Sequence, residues 1–272
     1  MIFVIDMIKN VIKLFRYYGG KYYLIPDILQ EMSYAYSTYD IKCIVDVFGG
    51  SGSVILSIPQ EWKVNRVYND IDKRLYITLK VLQDSDKRKV ILERLNWALN
   101  SRDIFNEYKN SIWTNLTDIE IAFRFLYLTA ISFNADFKTY GHNVNEIRNK
   151  LGSLTISISE NFKYLQKYLN VENADFRDTI KRYSGKHTLF YLDPPYLIGG
   201  TKYKYSFSIE DFKDLKNVLD NSNSYWLMNE SERDFNAIKE IFGNPAYTKS
   251  YVNHVNKVNE TAYRLEGFWK NY

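Results

Sequence analysis

The apolar run Cys43-Ile-Val-Asp-Val-Phe48 passes directly into Gly49-Gly-Ser-Gly-Ser53 and then into a short helical pattern. A strand covered on both faces reads as continuous apolar residues, and a strand, a glycine turn and a helix in succession make the first unit of a doubly wound sheet. The rest of the chain keeps this rhythm. Further strands are expected at Arg66–Tyr68, 170–174, 187–192 and 224–228, with a closing pair near 247–254 and 261–270. Helices are expected at 24–38, 160–169, 176–183, 208–220 and 231–242. A long charged helical stretch, 72–131, and a non-periodic segment, 133–150, interrupt the alternation. The expected architecture is α/β: a Rossmann-like sheet domain made of 1–71 and 154–272, with a helical insertion at 72–153.

At 272 residues the chain has room for one large α/β domain, or for one domain with a sizeable insertion. Its single cysteine, Cys43, lies in an apolar run and reads as a buried core residue of a protein in a reducing compartment, the cytoplasm. The apolar N-terminus raises the question of a signal peptide, but Asp6 and Lys9 interrupt it and no basic region or small-residue cleavage site flanks it. Val4, Ile8, Val11 and Phe15 instead share one helical face, so an amphipathic helix packed on the domain is expected. No stretch is long enough to span a membrane. Three His and one Cys, none at ligand spacing, imply no metal. A net charge of +4 is compatible with a nucleic-acid partner without arguing for one. The 24 Tyr, 16 Phe and 5 Trp supply flat surfaces of the kind that hold extruded bases, although an AT-rich coding sequence enriches the same residues.

Residues 190–196 carry an apolar strand into Asp193-Pro194-Pro195-Tyr196. Two prolines are an ordinary way to end a strand. The same four residues also suit one chemical task, the activation of an exocyclic amine whose lone pair is delocalised into an aromatic ring. Asp193 can accept one N–H and the carbonyl of Pro194 the other, since proline offers an acceptor with no competing donor. The nitrogen then moves toward tetrahedral geometry with its lone pair aimed at an electrophilic methyl, while Tyr196 offers a face for the base to stack on.

Ligands of open α/β sheets sit at the carboxyl ends of the strands. Glycines at 49, 50 and 52 let backbone pass close under such a ligand, but they do not fit G-x-G-x-x-G and no Walker-type Gly-Lys-Ser follows. Asp70 follows the next strand, where an acid binds ribose hydroxyls or else caps the helix that follows. A nucleoside without phosphates fits this pattern.

These residues, in this order, resemble the Dam-like (D12 class) DNA adenine-N6 methyltransferases. The resemblance runs from about residue 14 to the C-terminus. Tyr17-Tyr-Gly-Gly-Lys21 is similar to that family's aromatic-x-Gly-Gly-Lys motif, Asp46 to Ser53 to its cofactor loop and Asn69-Asp70-Ile-Asp72 to its acidic strand end. Phe125 to Leu128 with Phe133-Asn134 is similar to the helix that enters its target-recognition hairpin, and Asp193 to Tyr196 to its catalytic motif. Asp175-Phe176 is similar to its adenine pocket, and Glu266 to Tyr272 to its last strand. The resemblance implies a methyltransferase-type sheet and S-adenosyl-L-methionine as cofactor, held by Tyr17, Lys21, Phe48, Gly49, Gly50, Ser51, Gly52, Asp70, Asp175, Phe176 and Asp193. It implies Asp193, Pro194, Pro195 and Tyr196 as the catalytic set and double-stranded DNA as partner.

The recognition hairpin departs from the family pattern Phe-Asn-Gly-x-x-Arg, reading Phe133-Asn-Ala-Asp-Phe-Lys138. Arginine reads guanine through a bidentate fork that lysine cannot reproduce, and Asp136 adds a negative charge next to the expected path of DNA. Asn134, Lys138, Tyr140 and Asn143 are expected DNA contacts, as is Lys202 in the Gly, Lys and Tyr-rich segment after the catalytic motif. Strict GATC recognition is therefore not expected. Two other readings stay open: the same chemistry on cytosine N4 or an RNA adenine, and an inactive methyltransferase scaffold that binds DNA without turnover.

Overall fold

The computed structural model describes residues 11–141, 149–166, 169–197, 205–253 and 262–272. Its centre is a seven-stranded sheet in the order β3-β2-β1-β4-β5-β7-β6. Strands β1 (Cys43–Asp46), β2 (Asn65–Asn69), β3 (Leu169–Glu172), β4 (Thr188–Leu192) and β5 (Tyr225–Ser231) run parallel. Strands β6 (Tyr247–Asn253) and β7 (Ala262–Lys270) close the sheet as an antiparallel pair, β7 lying against β5. The chain reverses direction of growth between β1 and β4, which leaves a crevice at their carboxyl ends.

Side chains of period two divide the sheet between two cores. Ile44, Leu189, Tyr191, Leu227 and Phe268 face one core, and Val45, Phe190, Leu192, Met228 and Trp269 the other. The first core continues without a break from α1 (Ile25–Thr38) and α2 (Ser53–Ser57) into the inserted helices. These are α3 (Lys73–Gln83), α4 (Ser85–Trp97), α5 (Arg102–Asn110) and α6 (Asp118–Ile131), so the expected 72–131 stretch is four helices with α3 packed on α6. Asp72, Asp84, Ser101 and Thr117 each cap one of them through a side-chain oxygen. The second core lies under α9 (Phe176–Tyr183), α10 (Ile209–Asp220) and α11 (Phe235–Phe242).

Three expectations need correction. The helix placed at 160–169 is α7 (Lys150–Asn161) followed by α8 (Lys163–Gln166), and β3 begins at Leu169. The start of α7 is fixed by the Asn149 side chain, which accepts from Gly152 N at 2.8 Å, whereas Gly152, Thr155, Ile156 and Ile158 weaken its helical signature. Residues 11–15 are irregular rather than helical: Val11 is exposed while Ile12, Leu14 and Phe15 are buried, and Val4 and Ile8 lie outside the described residues. Cys43 is half-buried, and burial pushes its thiol up to about 11.

Candidate active site

The carboxyl ends of β1, β2 and β4 open onto a cleft of about 850 Å³, part of it open to solvent. Tyr17, Lys21, Phe48, Gly49, Gly50, Ser51, Asp70, Asp193 and Pro195 line it, which brings residues far apart in sequence to one place. Gly52 sits just behind the wall in a left-handed conformation at the start of α2.

The wall at the β1 turn is held by hydrogen bonds from neighbouring strands. Gly49 N donates to Asn69 O at 2.8 Å, and the buried Tyr68 hydroxyl donates to Gly50 O at 2.8 Å. The amide nitrogen of buried Asn69 donates to Val47 O and Ala174 O, joining three strand ends. Glycine at 49 is a requirement of close approach, because a Cβ there would come within 2.2 Å of the Tyr68 ring. Asp70 accepts from Gly50 N at 2.9 Å and from Asp72 N at 2.8 Å. The helix-cap role falls to Asp72, whose carboxylate accepts from Arg74 N, so Asp70 is left facing the cleft. Burial pushes the Asp70 carboxyl up to about 6, against the pull of those two backbone donors.

The opposite wall is ionic. Lys21 Nζ lies 2.8 Å from Asp193 Oδ1 and 3.4 Å from Glu266 Oε2. It also stands 4.8 Å from the centre of the Tyr196 ring. Burial alone would discharge Lys21, but Asp193, Tyr196, Glu266 and Glu230 around it hold its pKa well above the ordinary value, and it stays protonated. Burial raises Asp193 above the usual carboxylate range although Lys21 opposes the shift. Asp46, at the end of β1, and Glu230, on β5, are buried and pushed much further, first by burial and then by neighbouring carboxylates. Below the cleft the Tyr191 hydroxyl donates to Asn229 Oδ1.

The geometry gathers most of the expected residues but not all. Pro194 is buried and half-buried Tyr196 packs on Lys21, with only Asp193 and Pro195 of the motif lining the cleft. Leu197 N donates to Asp234 at 3.0 Å and so ties down the end of the motif. Asp175 caps α9 and pairs with Arg177, and buried Phe176 packs on Phe48 with ring centres 5.8 Å apart. Both stand behind the cleft wall, and Phe176 reaches it only through Phe48. Glu230, Asn229, Glu266 and Asp46 were not singled out as site residues from sequence. Their signal was there, as carboxylates or amides inside otherwise apolar strands, in Met228-Asn-Glu230 and Leu265-Glu-Gly-Phe268.

The hairpin beyond α6 is closed by an antiparallel bridge between Ser132 and Tyr140, by Phe133 N donating to Thr139 O and by Gly141 N donating to Ile131 O. The Asp136 carboxylate accepts from Lys138 N at 2.8 Å and Thr139 N at 3.0 Å, so it serves the turn rather than standing as a lone charge in the path of DNA. Asn134 and Lys138 are exposed. The Tyr140 hydroxyl donates to Asn100 Oδ1 at 2.7 Å, and its ring lies under the Arg102 guanidinium, which fastens the hairpin to the insertion. Asn143 and Lys202 lie outside the described residues. Among the described residues no cluster of His, Cys, Asp and Glu could hold a metal, and no helix is long and apolar enough to cross a membrane.

No curated protein matches the chain. Two solved structures are similar in part: a protein of Haemophilus influenzae described as a candidate methylase, at 11% identity over 88% of this chain and 87% of that one with a TM-score of 0.33, and a candidate methyltransferase of Escherichia coli, at 11% identity over 88% and 85% with a TM-score of 0.31. At those scores the likeness bears no weight. The family model for D12 class N6 adenine-specific DNA methyltransferases matches residues 17–258, nearly the whole chain, and the chain belongs to that family.

Proposed function

We propose that the protein transfers a methyl group from S-adenosyl-L-methionine to N6 of an adenine extruded from duplex DNA. The observation that carries this reading is the meeting, in one cleft, of Asp193 from the end of β4 with the glycine turn after β1 and the Asp70 carboxylate after β2. The residues present fit the cofactor. Gly49 and Gly50 bring backbone to the cleft surface, Asp70 offers a carboxylate to ribose hydroxyls, and Tyr17 and Phe48 offer flat apolar faces. When bound, S-adenosyl-L-methionine supplies an electrophilic methyl on a sulfonium.

The chain's own groups prepare the acceptor. Lys21 holds Asp193 Oδ1, which leaves Oδ2 to accept an N–H of the amine. Burial strengthens that hydrogen bond, since a low local dielectric enlarges any charge-assisted interaction. Extruding a base costs a few kcal/mol, offset by stacking and hydrogen bonding in the pocket.

The hairpin is the candidate reader of sequence, with Asn134 and Lys138 exposed on it. Lysine neutralises phosphate but does not form the bidentate fork to guanine, so the target is expected to differ from strict GATC. The test is to incubate the protein with labelled S-adenosyl-L-methionine and duplex DNA, single-stranded DNA or RNA, digest, and identify the labelled base. N6-methyladenine from duplex DNA is expected. Label in N4-methylcytosine, or in RNA alone, would replace this reading, and no label in any nucleic acid would favour an inactive DNA-binding scaffold. Mapping the modified positions in a plasmid library then tests the hairpin, because modification confined to GATC would mean that another residue reads the guanine.

A further inference from the structure

A second cavity, of about 1270 Å³ and part of it open to solvent, lies between the start of α3, the loop from α5 to α6 and the hairpin residue Phe137. Its lining joins two chemistries. Trp113 and Phe137 present aromatic surface, and apolar side chains of α3 and α6 add to it. Lys73, Arg74 and Lys109 supply three positive charges against one carboxylate, Asp118. Asp118 stands in the first turn of α6, where the helix end offsets its charge. Arg74 is matched by Asp72 at 2.6 Å, whereas Lys109 Nζ donates to Lys138 O at 2.7 Å and has no carboxylate partner among the described residues. Lys73 is exposed and makes neither a hydrogen bond nor an ion pair among the described residues.

The aromatic groups are held in place by the protein itself. The Trp113 indole N–H donates to Tyr108 O at 3.1 Å, which fixes the ring and uses its one polar group. Phe137 packs on Phe125 with ring centres 5.2 Å apart. The Arg74 guanidinium stands 5.8 Å from the centre of the Trp113 ring and 5.3 Å from that of Phe137, so flat apolar surface and positive charge meet in one place. A wholly apolar ligand would leave the ammonium groups unused, and a metal cation would be repelled by them. A flat ring that carries an anion satisfies both. We propose that this cavity is a second nucleotide-binding site, in which a base lies against Trp113 and Phe137 and its phosphate is met by Lys73 and Lys109. It shares a wall with the active-site cleft, because Asp72 lines the cleft while the Arg74 it holds lines the cavity. One layer of side chains separates the two sites, within reach of a single nucleic-acid strand. A free nucleotide offers the same base and phosphate. The site needs neither the cofactor nor a methyl acceptor, so it stands apart from the methyl-transfer reading.

The test follows the Trp113 indole N–H by NMR on protein labelled with 15N-tryptophan, the signal being assigned by its loss in Trp113→Phe. The probe is thymidine 5'-monophosphate, whose pyrimidine differs from the adenine of the cofactor. It should move the Trp113 signal, and thymidine, which lacks the phosphate, should bind about tenfold more weakly. Lys73→Glu alters an exposed side chain and should weaken the monophosphate about tenfold while leaving thymidine unchanged. Single-stranded and duplex DNA titrated in the same way separate the sources: a Trp113 response to DNA assigns the site to a strand, and a response to the monophosphate alone assigns it to a free nucleotide. For a strand, Trp113→Leu, where thermal melting shows it folded, should weaken DNA binding about fivefold without changing its salt dependence, since a stacked base is lost and no phosphate contact. A Trp113 signal unmoved by monophosphate and DNA alike, or moved at the same concentrations in wild type and Lys73→Glu, would overturn the site.

Discussion

The strand-end cleft and the hairpin after α6 are built by different means. The glycine turn of the cleft wall is held by groups from the end of the neighbouring strand: Gly49 by Asn69, and Gly50 by Tyr68 and Asp70. The hairpin closes on its own turn, through the Asp136 carboxylate and the Ser132 to Tyr140 bridge, and is fastened to the inserted helices by side chains: Lys109 and Asn100 by hydrogen bonds, Arg102 and Phe105 against Tyr140, and Phe125 against Phe137. It also carries three non-glycine residues in left-handed conformations, Asn134, Ala135 and Phe137, at φ 51°, 55° and 58°. The cleft is over-determined by sheet register, so its chemistry is fixed in place. The hairpin rests on local turn chemistry, which can change without disturbing the sheet, and that is the region expected to set target choice.

If the cleft is the rigid partner, damage there should be large and local. Asp193→Ala removes the acceptor for the amine and should lower methyl transfer about a hundredfold or more. Lys21 keeps Glu266 as a counter-charge, so circular dichroism should report a folded protein. Retention of a tenth of the wild-type rate would take that role away from Asp193. Gly49→Ala tests packing rather than chemistry. Its Cβ would meet the Tyr68 ring at 2.2 to 3.0 Å, and Tyr68 is fully buried, so the loss should be about 1–3 kcal/mol in urea unfolding. A neutral result would show that the wall yields as easily as the hairpin.

Asp70 gives the cleft a pH dependence that the hairpin should lack. Its carboxyl is pushed up to about 6, chiefly by burial, above its unfolded value. The folded protein therefore holds a proton that the unfolded chain releases in between, and the resulting stability is present at low pH and lost as pH rises through about 6. Ribose binding needs the ionised acceptor and runs the other way. One unit below that pKa only about a tenth of Asp70 is ionised, so S-adenosyl-L-methionine should bind about tenfold more weakly at pH 5 than at pH 7.5. Calorimetry with wild type and Asp70→Asn checks this, and equal pH dependence in both proteins would assign the effect elsewhere.

The same contrast explains what the sequence made legible. Strands β1 and β4 are apolar runs, and the register of β1 with β2 and β4 carries Phe48, Asp70 and Asp193 to one edge. The continuation of β5 through Asn229 and Glu230 carries a signal in the sequence, polar residues directly after an apolar run, but the same pattern imitates a strand's end and so shortens the expected strand to 224–228. The start of α7 was hidden for a different reason: a single asparagine cap governs it, while the residues inside are poor helix formers. In the hairpin, Asp136 read as a charge added near DNA. Only the turn geometry reveals that its oxygen serves backbone N–H groups.

The smallest effect bears most directly on the hairpin's local strain. Ala135 is buried, at φ 55°, in the place where the family pattern has glycine. A left-handed conformation costs an L-residue about 1–2 kcal/mol, which glycine would relieve. Against this stand the loss of a buried methyl, about 0.8 kcal/mol, and the greater chain entropy of glycine, about 0.5–1 kcal/mol. The terms nearly cancel, so Ala135→Gly should lie within about 0.5 kcal/mol of wild type. Ala122, buried inside α6, has the two penalties and no strain to release, and Ala122→Gly should cost about 1.5–2 kcal/mol. Denaturant unfolding of the two variants side by side decides the matter: an Ala135→Gly loss as large as that of Ala122→Gly would mean that the hairpin carries no relievable strain, and the distinction drawn between the two regions would fail at that point.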